Sequence, residues 1–168
     1  MLLLFTPAFA LPLMTERFDA APADWKERVI EGKGAATKVV YANGVATITA
    51  APSTKKFVAF GKRFDARGIE WLEVQAKVTA TGVEGAAPNA VCGAYVRFDT
   101  GEIVPTRACT PRADAEAHTR YLPVPAGARD FEVGVLLTTA GTITVDDLVV
   151  SAATPPLKYA SCGRSQTV

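Results

Sequence analysis

The sequence predicts an all-β domain, a sandwich or barrel of short antiparallel strands, and three observations lead to this prediction. No helical periodicity persists after Met14. Apolar and polar residues instead alternate over short stretches, which Gly, Pro, Asn and Asp residues interrupt, as expected for strands joined by tight turns. A length of 168 residues, with 49% hydrophobic and 21% charged residues, suits one globular domain.

The charge pattern and the apolar runs exclude two classes of partner. The 18 basic and 17 acidic residues give a net charge of +1 without any basic block, whereas nucleic-acid backbones need a concentrated positive face. We therefore expect no nucleic-acid partner. We also expect no transmembrane segment, because a spanning helix needs about 20 apolar residues and Pro7 and Pro12 interrupt the N-terminal run.

The two ends of the chain differ from the middle. Residues 1–14 begin with an apolar run that closes on the small-x-small tripeptide Ala8–Ala10, the pattern of a signal peptide at its cleavage site. Since no basic residue precedes the run, we expect the signal to start upstream of Met1; an apolar N-terminal strand is the alternative. The prediction is a secreted or periplasmic domain over residues 15–153 and a tail over residues 154–168.

Turn signals and alternation place the strands. Asn43-Gly44 marks the clearest hairpin, since both residues tolerate the positive φ angles of a two-residue turn, and it sets Tyr41 opposite Ala46 on the core face. In the last strand the apolar residues change from odd-numbered to even-numbered positions at Asp146-Asp147, which predicts a β-bulge there. Further strands are predicted at residues 57–64, 69–79, 90–98, 103–109, 115–124, 131–137 and 142–151.

Two cysteines are predicted to face each other across a second hairpin. If Phe98 pairs with Ile103, the same register pairs Cys92 with Cys109. Their Cα atoms then lie at the short end of disulfide reach, and an exported protein would oxidise them. The alternative is a pair of reduced, buried cysteines that pack as small hydrophobic residues.

The order of these elements resembles the galactose-binding-like jelly rolls that include many carbohydrate-binding modules. The resemblance covers roughly residues 16–152 and implies a two-sheet antiparallel β-sandwich, or jelly roll. The segments that carry it are Arg17-Phe18-Asp19 with Trp25, the Asn43-Gly44 hairpin, Leu72–Val78, Val124–Ala128 and Gly141–Val150.

The resemblance also implies a structural calcium ion between the first and last strands. The matching carboxylates are Glu16 or Asp19 with Asp146 or Asp147. Calcium takes six to eight oxygen ligands, and a bulge frees backbone carbonyls to join the carboxylates. The alternative is that the two adjacent aspartates bind loop amides or face water.

Sugar sites of this architecture use aromatic rings as flat platforms with polar groups around them. Trp71 is notable because it lies on the polar face of its predicted strand; packing under a loop is the alternative for this side chain. The candidate ligand-binding residues are Trp71, Glu73, Gln75, Tyr95, Arg97 and His118.

The expected function is that of an exported, non-catalytic module that binds carbohydrate, such as a cell-surface glycan. One alternative is a structural or adhesive domain that docks a protein partner. Another is a polysaccharide-degrading enzyme, with His118 or Tyr95 as base and Arg97 or Arg120 as cation. No catalytic residue is predicted, because no paired carboxylates, nucleophile elbow or zinc motif is present.

Overall fold

The computed structural model describes residues 12–29, 37–50, 58–83, 91–101, 103–105 and 112–154. These parts of the chain contain eleven β-strands and no helix, so the all-β prediction is confirmed. The strands are β1 Pro12–Glu16, β2 Lys26–Val29, β3 Thr37–Ala42, β4 Val45–Ala50, β5 Val58–Asp65, β6 Trp71–Thr81, β7 Cys92–Phe98, β8 Ile103–Pro105, β9 Arg112–Pro123, β10 Asp130–Leu137 and β11 Gly141–Ala152.

The strands form two antiparallel sheets. The six-stranded sheet has the order β3-β4-β11-β6-β9, with β1 also paired to β11, and the five-stranded sheet has the order β2-β5-β10-β7-β8. Strand β11 pairs with β4 along its first half and with β1 along its second half. Since β1 begins at Pro12, the sandwich includes residues 12–14, which the sequence assigned to the apolar segment. In the described residues, no helix is long and apolar enough to cross a membrane.

Two local predictions in the six-stranded sheet are confirmed. Across Asn43-Gly44, Tyr41 pairs with Ala46 in the predicted register. The register of β11 against β6 shifts between Asp146 and Val149, and Asp147 has a φ of 49°. This bulge returns the apolar residues on both sides of it to the core.

The predicted register of the second hairpin is wrong by one residue. Arg97, rather than Phe98, pairs with Ile103. The amide of Gly101 donates a hydrogen bond to the Phe98 carbonyl (3.0 Å), so Phe98 already belongs to the turn and the connection is one residue longer than expected. Residue 109 lies outside the described residues, and the Cys92–Cys109 disulfide therefore stays a prediction.

The core lies between the two sheets and closes at one end on an aromatic cluster. Phe18 is fully buried there, with its ring edge-on to Trp25 at 5.5 Å and stacked on Tyr41 at 6.1 Å. Phe18 has a φ of 54°, which is unfavourable for a residue with a side chain. Packing of the ring compensates for this backbone cost.

Candidate functional site

The outer face of the five-stranded sheet carries polar residues that the sequence analysis did not single out. In β10, Phe131, Val133 and Val135 point into the core. The alternation of a strand then turns Glu132 and Gly134 to the outer face. Neighbouring strands place Arg63 on one side of Glu132 and Arg97 on its other side. Glu132 thus lies between two arginines on the middle strand of the sheet.

Glycines on two neighbouring strands make room for Tyr95 on this face. Gly134 pairs with Gly61 on one side and with Tyr95 on the other. A Cβ atom on Gly61 would lie 3.0 Å from the Tyr95 hydroxyl and 2.7 Å from the Val133 carbonyl oxygen. A Cβ atom on Gly134 would lie 1.8 Å from the Phe60 carbonyl oxygen. Only glycine at these positions allows the strands and the tyrosine to come this close.

Tyr95 and Glu132 form a buried polar pair on the same face. The Tyr95 hydroxyl donates a hydrogen bond to Glu132 Oε1. Tyr95 is fully buried, and Glu132 is 7% exposed. Glu132 is the one buried charged side chain among the described residues. Burial of a carboxylate is costly unless hydrogen bonds compensate for lost hydration. A buried glutamate at this position is therefore a candidate functional residue.

A cleft of about 280 Å³ opens beside this pair, with a wall of charged side chains. A second cavity of about 490 Å³ shares Arg63 with the cleft and continues past Phe64 towards Arg129. The residues that line the cleft are Asp24, Lys26, Gly61, Arg63 and Glu132.

Ion pairs fix several of the charged groups along this surface. The Lys62 ammonium lies 2.7 Å from Asp24 Oδ2, and its hydrogen bond and charge lower the pKa of Asp24. Arg63 Nε lies 3.4 Å from Asp130 Oδ1. Hydrogen bonds from Arg67 lower the pKa of its partner Asp65 to about 2. Each of these carboxylates is therefore already paired with a basic side chain.

The predicted row that contains Trp71 lies on the other sheet. Leu72 and its inward neighbours are buried, and the half-buried Trp71 shares the outer face of β6 with Glu73 and Gln75, as predicted. Gln75 Nε2 donates to Glu73 Oε1 at 2.5 Å. Tyr121, which was not among the predicted ligand residues, pairs with Glu73 across the strands. Desolvation and the Glu73 carboxylate raise the pKa of the Tyr121 phenol.

The structure does not bring the predicted ligand residues into one site. Tyr95 and Arg97 are on the outer face of the five-stranded sheet, opposite to Trp71, and Tyr95 is buried rather than presented to solvent. His118 is on the edge strand β9, where it pairs with the inward-facing Ala76 of β6. Arg120, on the same strand, donates to the Pro105 carbonyl oxygen at 2.5 Å and so links the edges of the two sheets.

The predicted calcium ligands are engaged by other groups. At the bulge, the Lys77 ammonium donates a hydrogen bond to Asp147 Oδ2 and lies 3.9 Å from Asp146 Oδ2. Glu16 Oε1 accepts a hydrogen bond of 2.9 Å from the Phe18 amide.

Asp19, the fourth candidate ligand, is an exposed residue on the turn after β1. Within the described ranges, no three His, Cys, Asp or Glu side chains gather closely enough to hold a metal ion. Because a lysine ammonium already neutralises the aspartates, the donor set in this arrangement does not fit calcium. We therefore expect no calcium binding here, in contrast to what the resemblance implies, and a measurement of thermal unfolding with and without calcium tests this.

One sequence signal pointed to the cleft. Gly61 and Gly134 interrupt β5 and β10, and a glycine inside a strand marks a bulge or a close approach. Glu132 and Gly134 are successive outward-facing residues of β10. The cleft also depends on the pairing of β5 with β10, two strands separated by more than sixty residues, which the alternation does not reveal.

Comparison with solved structures supports the jelly-roll fold. A xylan-binding domain from carbohydrate-binding module family 22 aligns with a TM-score of 0.55 and 12% identity, covering 90% of this chain and 100% of the other. The C-terminal family 22 module of Clostridium thermocellum Xyn10B, described with a ligand-binding cleft, aligns with a TM-score of 0.54 and 10% identity over the same shares. At such identities the likeness shows the fold alone, and the predicted resemblance is confirmed at that level.

The other comparisons add nothing to the fold assignment. This chain spans 20% of the enzymatically active domain of bacteriophage CBA120 tailspike protein 4, at 15% identity and a TM-score of 0.47. No protein-family model and no curated protein sequence matches the chain.

Proposed function

We propose that this chain is an exported, non-catalytic carbohydrate-binding module whose ligand lies in the cleft beside Glu132. The buried Glu132 carboxylate carries the proposal. It is hydrogen-bonded by Tyr95, lines a cleft and is 7% exposed. A carboxylate accepts hydrogen bonds from sugar hydroxyls, and such charge-assisted bonds are stronger than neutral ones in a dry site.

The remaining cleft groups complement that acceptor. Lys26 and Arg63 supply N–H donors, Asp24 supplies a second acceptor, and Gly61 completes the lining. Tyr95 acts as a positioning residue, because its ring is buried and its hydroxyl orients Glu132. Small-ligand sites commonly place a few fixed polar groups in a concave surface. The fold shared with xylan-binding domains supports the same class of ligand.

The scattered positions of the catalytic candidates favour a binding module over a polysaccharide-degrading enzyme. Tyr95 and Arg97 belong to the five-stranded sheet, whereas His118 belongs to the six-stranded sheet. Export is supported by the small-x-small pattern of Ala8–Ala10. A protein-docking domain is the second candidate, and it becomes the favoured one if no glycan binds.

A glycan array tests the proposal when the wild type is compared with two matched variants. Glu132→Gln keeps the shape of the side chain but removes its charge, and it should weaken binding about tenfold or more. Glu73→Gln makes the same chemical change on the opposite sheet and should leave binding unchanged. Urea unfolding of each variant separates lost binding from lost stability.

Two results would overturn the proposal. If the folded wild type binds no glycan, the carbohydrate function fails. If Glu132→Gln is folded and binds as tightly as the wild type, the cleft is not the ligand site.

A further inference from the structure

The basic groups beside the cleft are not all neutralised by neighbouring acids. Asp24, Asp65 and Asp130 each form an ion pair with a basic side chain. Lys26, which lines the cleft, forms no ion pair with an acid whose side chain the structure describes. The same holds for Arg97, which is half-buried on the strand next to Glu132.

A third basic residue extends this pattern into the adjoining cavity. The Arg129 side chain lines that cavity and forms no ion pair with a described residue. Its backbone amide donates to Asp99 at 3.2 Å. Three acids of this surface, Asp24, Asp65 and Asp130, are thus paired with cations, whereas Lys26, Arg97 and Arg129 have no such partner among the described side chains.

From this imbalance we infer that the ligand of the cleft is a carboxylated polysaccharide, whose uronate groups pair with Lys26 and Arg97. The inference rests on the proposed carbohydrate function and narrows its ligand class. A carboxylate that approaches a lysine or arginine gains a charge-assisted hydrogen bond. A neutral glycan would offer neither cation a carboxylate.

The spacing of the two cations indicates a chain of several sugars. Lys26 is on β2 and Arg97 on β7, with β5 and β10 between them. Three strand spacings of roughly 4.8 Å separate β2 from β7, so the two basic groups start about 14 Å apart. A backbone separation of this size suits a ligand longer than one sugar, and an extended polysaccharide can place an acidic group at each end.

The test compares one uronate-bearing polysaccharide with the same polymer after chemical reduction of its carboxyl groups to alcohols. The acidic form should bind about tenfold or more tightly at low salt, and added salt should reduce this advantage. Lys26→Gln and Arg97→Gln should each weaken binding of the acidic form by a larger factor than binding of the reduced form. Lys38→Gln, the same charge change on the outer face of the other sheet, should alter neither.

The outcomes separate this inference from the proposed function. Equal binding of the acidic and reduced polymers would overturn the carboxylate preference and leave carbohydrate binding intact. The same conclusion follows if Lys38→Gln weakens binding as much as Lys26→Gln, since net charge alone would then explain the effect. If the folded wild type binds neither polymer nor any glycan on an array, the proposed function itself fails.

Discussion

The Tyr95 hydroxyl donates a hydrogen bond to the Glu132 carboxylate, and the two side chains are buried on the outer face of the five-stranded sheet. Outer faces of sandwiches normally carry solvated residues, so a buried acid there is unusual. Gly61 and Gly134 create the space that Tyr95 fills. The site therefore depends on four residues from three adjacent strands.

Tyr95→Phe should lower the free energy of unfolding by about 1–3 kcal/mol, because it removes a donor from a buried, charged acceptor. Urea unfolding monitored by tryptophan fluorescence measures the change. Tyr121→Phe is the matched control, since that phenol also neighbours a glutamate but is only half-buried, and its loss should be smaller. Equal losses would contradict the special role of the Tyr95–Glu132 pair.

Gly61→Ala should destabilise the domain by about 1–3 kcal/mol, the usual cost of overpacking. The new methyl group would meet the Val133 carbonyl oxygen at 2.7 Å and the Tyr95 hydroxyl at 3.0 Å. Denaturant unfolding gives the stability, and the double variant with Tyr95→Phe gives the coupling between the two sites. A lower cost of Gly61→Ala in the Tyr95→Phe background is expected; an unchanged stability of the single variant would refute the close packing.

Calcium should leave the unfolding temperature unchanged, because Lys77 already neutralises Asp146 and Asp147 at the bulge. Differential scanning calorimetry with calcium and with a chelator measures this directly. Lys77→Met should lower the unfolding temperature, since two adjacent carboxylates would lose their counter-ion. Stabilisation of the wild type by calcium would contradict this account and support the calcium site that the resemblance implies.

The Lys77 ion pair also predicts a dependence on alkaline pH. Hydrogen bonding and attraction to Asp147 raise the pKa of Lys77 in the folded state. A raised pKa contributes stability below the unfolded value of about 10.4, and this contribution is lost as the pH rises through the folded pKa. The stability difference between wild type and Lys77→Met should therefore shrink above about pH 10.5; a difference that stays constant would argue against the pair.

A disulfide between Cys92 and Cys109 should survive purification without reductant. Alkylation in denaturant, followed by mass spectrometry of peptides, should label Cys162 and leave the other two cysteines unlabelled until reductant is added. The denaturant matters because Cys92 is buried in the fold and would be protected there even as a thiol. Labelling of all three cysteines before reduction would show that Cys92 and Cys109 are reduced.

The strands were predictable where local chemistry determines them. Asn43-Gly44 set both the turn and the register of its hairpin, and the change of parity at Asp146-Asp147 located the bulge. The predicted register of the second hairpin was wrong because Phe98 begins the turn and has no partner in β8, although it still pairs with Phe131 in β10. The length of the β7–β8 connection depends on turn geometry, and the residue types of this turn do not specify that geometry.

The candidate site was less predictable, because its residues come from strands distant in sequence. Tyr95 was correctly placed on the outward side of its strand, but its burial depends on Gly61 and Gly134, which meet it only through the pairing of β5, β10 and β7. Glu132 was overlooked because one acid among apolar neighbours usually marks a solvated face. Trp71 was placed on the correct face of β6, opposite to the cleft.

Titration calorimetry with the tightest ligand from the glycan array tests the central claim most directly. Variants would be Glu132→Gln and Lys26→Ala in the cleft, and Trp71→Ala on the opposite sheet. We expect the two cleft variants to weaken binding about tenfold or more and Trp71→Ala to bind as the wild type does. If Trp71→Ala abolished binding while both cleft variants kept it, the ligand would lie on the six-stranded sheet and the account would be wrong.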